Sequence, residues 1–339
     1  MVGSMKDRLP ILDGWRGIAV LGVLFSHYIY MRPVNLGRFG VELFFVLSGR
    51  LMAEILFVKR AELPRFFARR LSRVYPALAV YVAAISLLSI ALPKGGATAA
   101  QLLSALTFTY NYADHFIGRA YALDHIWTLC VEEHTYILLG ILALIARRFR
   151  LPIIATLSIL AGLAMLNGAA QTMAGRDYYD VYWRTDVRGA SILCGAVAYL
   201  IGRNFTDRGL ERAGRLSPLV GAIGFALNLN AVPDPLKYSV GTACIAFSLA
   251  TIEHSAPSVV RALSSNRLTA IGLVSYSLYL WQQPFLQFSS GLASRVSLLP
   301  FAVTAALASY FLVERPARRA LNKIISLRRS SPQTAVSGI

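Results

Sequence analysis

The chain has 339 residues, of which 56% are hydrophobic and only 15% charged, where soluble domains carry about 25% charged residues. Its apolar residues come in repeated blocks of about 16–22, each long enough to cross a hydrocarbon core of about 30 Å, which excludes a soluble domain and predicts an all-α polytopic membrane protein. The formal net charge of +17 sits in short stretches between those blocks, as the positive-inside rule requires, so no nucleic-acid partner is implied.

About ten transmembrane helices are expected, at 11–30, 38–57, 75–92, 123–146, 151–168, 188–202, 216–231, 238–254, 269–288 and 297–314. With the N-terminus in the cytoplasm, 23 of the 34 Lys and Arg fall in inner segments and nine in outer ones, so both termini are expected to be cytoplasmic. Lys6 and Arg8 ahead of the first block resemble a signal peptide. Asp13 and Arg16 interrupt its core and no small-residue cleavage site follows, so it reads as an uncleaved first span.

Within that span Arg16 and His27 stand eleven residues apart. At about 100° per residue both project from one stripe, roughly 16 Å apart along the axis. A charge inside a span costs about 2.5–3.5 kcal/mol even on lenient insertion scales, so the pair reads as functional. The bland alternatives are a counter-ion role for Arg16 toward Glu42 or Asp13 and an interfacial position for His27. In the second span Glu42 needs a partner or a wet cavity, and Arg50 lies about 80° around the helix from it.

The first inner loop carries Arg65, Arg69, Arg70 and Arg73. It serves either as a topology signal and lipid-headgroup contact or as a polyphosphate site, because Arg offers bidentate donors to phosphate. No glycine-rich phosphate loop or dinucleotide fingerprint occurs, so a nucleotide here would be held by side chains. Outer segment 93–122 is long enough for an interfacial helix or a re-entrant piece.

The fourth span opens with His125, Trp127, Glu132, Glu133 and His134. The adjacent carboxylates point about 100° apart and are expected to serve different ends, whereas His125 lies two turns before Glu132 on nearly the same face, where a carboxylate orients an imidazole. Outer segment 169–187 gathers Asp186 and Arg184 among four aromatics, and 275–281 places hydroxyls and rings where helices pack. Cys130, Cys194 and Cys244 suit neither a disulfide framework nor a metal site, so no metal is expected. Residues 326–339 are expected to form a disordered cytoplasmic tail.

Arg16 and His27 with ten residues between them, the Phe39–Gly49 stretch, Arg70-x-x-Arg73-x-Tyr-Pro, Trp127-Thr-Leu-x-Val-Glu132-Glu133, Thr185-Asp186-x-Arg188, Ser275-Tyr276-Ser-Leu-Tyr-Leu-Trp281 and Val313-Glu314-Arg315-Pro316 follow one another in order. Together they resemble the acyltransferase-3 family of integral-membrane O-acyltransferases, which modify bacterial surface glycans and exopolysaccharides. The resemblance implies a single transmembrane acyltransferase domain over residues 1–325 in the bacterial inner (plasma) membrane. It also implies transfer of an acyl group, acetyl first among them, from cytoplasmic acyl-CoA to a hydroxyl of a cell-surface or lipid-linked glycan.

Acetyl-CoA would then be a donor substrate, with no permanently bound cofactor; acyl-CoA, the glycan and membrane lipids would be the partners. By the same resemblance His27 is the catalytic histidine, Arg16 its companion and Glu132 the acid of the Trp127 motif. Arg70 and Arg73, with Arg16, hold the CoA phosphates. Glu42, Trp127, Asp186, Arg188 and Tyr276 are substrate-binding or structural polar residues.

The family commonly has a histidine after the Tyr-Leu-Trp triplet, where this chain has Gln282; Arg50, His134 and Thr135 also depart from its pattern. The sequence holds no fused hydrolase-like domain of the kind some members carry, so the helices are expected to act alone. Two other readings of intramembrane Arg, His and Glu are a transporter and an inactive scaffold in glycan assembly. The spans show no inverted repeat of the transporter kind.

Overall fold

The computed structural model describes residues 9–29, 33–91 and 96–327; Lys6, Arg8 and most of the predicted tail lie outside the described residues. The described chain is helical, and its one extended contact is an antiparallel bridge between Val34 and Leu229.

Helix α1 (Pro10–Tyr28) opens on a proline, whose missing N–H is harmless at the first helical position, with Asp13 in its first turn. Helix α2 (Leu36–Ala53) is capped by the Asn35 side chain, which accepts from the Arg38 N–H, and runs on through a π-turn at Glu54–Val58. Helix α3 (Leu63–Ala91) is 29 residues long and starts well before the expected residue 75. The basic segment expected as a loop is thus its opening turns, and Arg70 and Arg73, three residues apart on a helix, share a face.

Residues 96–126 fold into α4 (Ala99–Leu106), started by a Thr98–Gln101 capping box, α5 (Tyr110–Ile117) and a 3-10 turn, Tyr121–Ile126. Helices α6 (Trp127–Phe149), α7 (Ile153–Met173), α8 (Tyr178–Tyr182), α9 (Thr185–Gly202) and α10 (Asp207–Ala226) follow. Then come α11 (Asp234–Leu236), α12 (Thr242–Thr251), α13 (Pro257–Leu263), α14 (Asn266–Leu273), α15 (Ser275–Leu286), α16 (Leu292–Ser309) and α17 (Arg315–Leu327).

Each of the ten predicted segments contains a helix, although 227–231 of the seventh forms turns and the bridge at Leu229. Four stretches are long and apolar enough to cross a membrane on length and composition: Leu63–Ala91, Tyr121–Phe149, Ile153–Met173 and Leu292–Leu327. A fifth results if Asp234–His254 and Pro257–Leu263, bent by 107°, count as one. Helices α1 and α2 fall short because they carry charge, and they lie in the middle, with α2 packed on α1 and α9. The apolar α7 and α16 show most of their surface on the outside. The physical logic is that of a bilayer protein: polar side chains turn inward to partners, and apolar faces meet lipid.

The central helices approach backbone to backbone. A Cβ on Gly49 of α2 would stand 1.8 Å from the Ile192 carbonyl oxygen of α9, and one on Gly195 2.0 Å from that of Val46. Gly49→Ala is therefore expected to destabilise by at least the roughly 1–3 kcal/mol of an overpacked core, read as a lower Tm in detergent. Gly162→Ala, where a Cβ meets nothing within 4 Å, is the control expected to leave Tm unchanged.

Candidate active site

Chain reversal puts the ends of α1, α7 and α15 and the starts of α2, α6 and α9 on one face of the bundle, and the starts of α1 and α3 on the other. Arg16 and His27 therefore belong to opposite ends of the central helix.

At the arginine end, Arg16, Arg70 and Arg73 line one cavity together with Ser48, Glu132 and Tyr276. Arg16 Nη1 donates to Asp13 Oδ1 at 2.9 Å, so of the two counter-ions considered for it Asp13 is the one in contact. Arg70 uses the forked edge of its guanidinium: Nε donates to Glu133 Oε1 at 2.8 Å and Nη2 pairs with Glu132. The two adjacent carboxylates, expected to serve different ends, thus share one arginine, because a planar fork can span side chains that diverge by one helical step.

Arg73 forms no ion pair with any described carboxylate, so its guanidinium is open to this cavity. Glu132 also accepts from Ser48 Oγ at 2.8 Å and from the Tyr136 hydroxyl at 3.0 Å. Tyr276 donates to the Val74 carbonyl oxygen at 2.9 Å, fastening α15 to α3 beside this cavity.

At the other end, His27 lines a second cavity with His125, Trp127, Arg38 and Arg119. His27 Nδ1 stands 2.6 Å from Gln282 Oε1. The amide orientation follows from a chain anchored on backbone: Gln283 Nε2 donates to the Tyr121 carbonyl oxygen at 3.0 Å, and its Oε1 accepts from Gln282 Nε2 at 3.3 Å. The Gln282 oxygen therefore faces His27 and accepts from Nδ1–H, which leaves Nε2 with its lone pair. Tyr28 adds a second tie, its hydroxyl donating to the Gln282 carbonyl oxygen at 2.8 Å.

The expected orientation of His125 by Glu132 does not occur. His125 sits in the 3-10 turn ahead of α6, which changes its direction, and is packed between the rings of Tyr81 and Tyr279, each at 5.5 Å between centroids. Its two ring nitrogens make no hydrogen bond among the described residues. His134 Nδ1 meets Thr185 Oγ1 at 2.8 Å, a link between α6 and α9.

Glu42 and Arg188, fully buried, pair with each other, and Thr242 donates to the second Glu42 oxygen. Arg188 also lies 3.9 Å from the centroid of the Tyr238 ring. Arg50 pairs with Glu253 and donates to the Leu249 carbonyl oxygen at 2.8 Å. Asp186 stays apart from both cavities, in an exposed pair with Arg184 at 2.7 Å. Trp127 stacks on Trp183 at 6.2 Å.

The sequence reading missed the role of Gln282, which it noted only as a missing histidine. It offered Arg16 as a counter-ion for Glu42, whereas the partner is Arg188, which also stood among its candidates. The signal for the second was available, since two opposite charges in apolar blocks need partners.

The two cavities lie back to back: Val41 and Tyr279 belong to the walls of both. The bundle is thus hollowed on both sides of these two residues, with Arg16, Arg70 and Arg73 in one hollow and His27 in the other.

Comparison with known proteins gives this arrangement a family. The chain is 28% identical over 346 residues to the O-acetyltransferase OatA of Staphylococcus aureus (strain NCTC 8325 / PS 47), covering 92% of this chain and 57% of that protein. It is 27% identical over 314 residues to the peptidoglycan O-acetyltransferase OatA of Listeria monocytogenes serovar 1/2a, covering 84% of this chain and 50% of that protein. The chain thus spans little more than half the length of these curated relatives. No solved structure matches it. The family model of the acyltransferase domain, acyltransferase 3, matches residues 9–313, nearly the whole helical bundle with both cavities, and the chain belongs to that family.

Proposed function

We propose that this chain is a bacterial plasma-membrane O-acetyltransferase that carries an acetyl group from cytoplasmic acetyl-CoA to a hydroxyl of a glycan on the outer side. The observation that carries the reading is the pair of cavities meeting at Val41 and Tyr279, one holding Arg16 and Arg73 and the other His27. The bias of Lys and Arg supports a cytoplasmic arginine end and both termini inside, with the ten apolar segments as spans. The names of the relatives support acetyl as the group and peptidoglycan-type glycan as the acceptor.

In this reading Arg73 and Arg16 bind the CoA phosphates, and Arg70 is held by its two carboxylates as a strut. The pantetheine arm then runs along α1 toward His27, roughly 16 Å away. His27 Nε2 takes the proton from the sugar hydroxyl as the oxygen attacks the thioester carbonyl carbon. The tetrahedral intermediate collapses with rupture of the C–S bond, and the thiolate of CoA receives the proton from the imidazolium. The products are the acetyl ester and free CoA.

The test is purified protein in detergent with acetyl-labelled CoA and soluble peptidoglycan fragments. Label is expected in the glycan, in a system without a membrane gradient. An intact acetyl-CoA pool and unlabelled glycan at saturating enzyme would sink the reading.

A further inference from the structure

The cavity that holds His27 also holds arginines, which a proton transfer does not require. Arg38 and Arg119 are in its wall, and Arg295 Nη1 reaches to 3.5 Å from the His27 carbonyl oxygen. Asp124 and Asp234 stand directly against them, and Asp114 lies close to Arg119. Asp124 pairs with Arg119 at 2.7 Å, whereas Asp234 accepts from Lys237 at 2.9 Å and lies 3.9 Å from Arg38.

Arg38 is the residue with donors to spare. Its backbone N–H goes to Asn35, and its guanidinium makes no hydrogen bond to any described residue. It is nonetheless held in place, over the rings of Tyr178 at 4.2 Å and Tyr182 at 5.7 Å. Its side chain, part of the cavity wall, keeps 26% exposure. Trp127 and Trp183 also belong to this wall, stacked on each other and buried, with the Arg119 guanidinium 4.2 Å above the Trp183 ring.

A positioned, half-buried guanidinium with open N–H groups in a cleft selects an anion over a neutral group of the same shape. We propose that the acceptor bound in this cavity is an acidic saccharide, one that carries a carboxylate or phosphate beside the hydroxyl to be acylated, and that Arg38 holds that charge. The inference rests on the reading of this cavity as the acceptor site, and it adds a substrate class to it.

The probes are an N-acetylglucosamine oligomer carrying one uronic acid and the methyl ester of the same oligomer, alike in shape but not in charge. Binding to the purified full chain in detergent is followed by tryptophan fluorescence, since Trp127 and Trp183 line the cavity. The acid is expected to bind about ten- to a hundredfold more tightly than the ester at low salt. Arg38→Gln is expected to bring the acid down to the ester's affinity, and Arg38→Lys, which keeps the charge, to retain most of the preference. Equal affinity of acid and ester overturns the proposal. So does an Arg38→Gln protein that loses both alike, or sodium acetate that displaces the acid at equal concentration.

Label transfer from acetyl-CoA to the same two oligomers separates this from the function itself. Acid-selective binding without any transfer keeps the anion site and removes the acetyl-transfer reading. Transfer to both with equal binding does the reverse.

Discussion

Replacement of His27 by alanine is expected to lower acetyl transfer by roughly 10²–10⁴-fold, with acyl-CoA affinity unchanged, because His27 lines the cavity away from Arg73. Single-turnover transfer and CoA binding on the same preparation check both halves. A stably inserted His27→Ala protein that acetylates glycan at the wild-type rate removes the general base. Label retained on the wild-type protein after acetyl-CoA alone, and absent from His27→Ala, would instead place an acyl-histidine on the path.

The same geometry makes Gln282 a positioning residue, since its amide oxygen is the acceptor 2.6 Å from His27 Nδ1. Gln282→Leu is expected to lower kcat and leave KM for acyl-CoA in place. Gln282→Glu, which still offers an oxygen to Nδ1–H, is expected to recover part of the rate. Loss without recovery would mark a packing effect.

The second large effect separates two arginines that the sequence presents as a pair. Arg70→Ala strips Glu132 and Glu133, whose side chains are only 13% and 9% exposed, of their shared cation. Breaking a buried ion pair by removing one partner typically destabilises by about 3–5 kcal/mol, so a much lower Tm or loss of folded yield is expected. Arg70→Lys is expected to rescue little, because an ammonium cannot fork across two carboxylates. Arg73→Ala is expected to leave Tm nearly unchanged and to weaken acyl-CoA binding, more at low salt than at high. Equal loss of Tm in both variants, or wild-type CoA affinity in Arg73→Ala, ends this division of labour.

Much of the fold was legible because a bilayer leaves few choices. Apolar blocks of spanning length must be helices, since no other open structure satisfies its backbone in lipid, and each of the ten predicted segments contains a helix. Where the reading slipped, it did so at polar sequence. Residues 63–74 looked like a loop because they are basic, yet they are helical and packed inward, with Phe66 in the core. His125 looked like part of α6 because helical phase was extended through residues that form a 3-10 turn instead.

The candidate site divides in the same way. The Arg16–His27 spacing is a property of one helix, so its phase and length could be computed without a structure. The partners of those residues could not. Gln282 meets His27 across 255 positions of sequence, Arg188 meets Glu42 across 146, and Arg70 meets Glu132 across 62. Sequence alone determined that these charges lie in apolar helices and therefore need partners, because an unpaired charge in lipid is too costly to keep. Which partner each one takes depended on which helices cross, and that was decided by close backbone approach at residues such as Gly49 and Gly195. Those contacts bring α2 and α9 together, and with them Glu42 and Arg188. The long-range pairing belongs to the packed bundle, where each helix supplies only half of every contact.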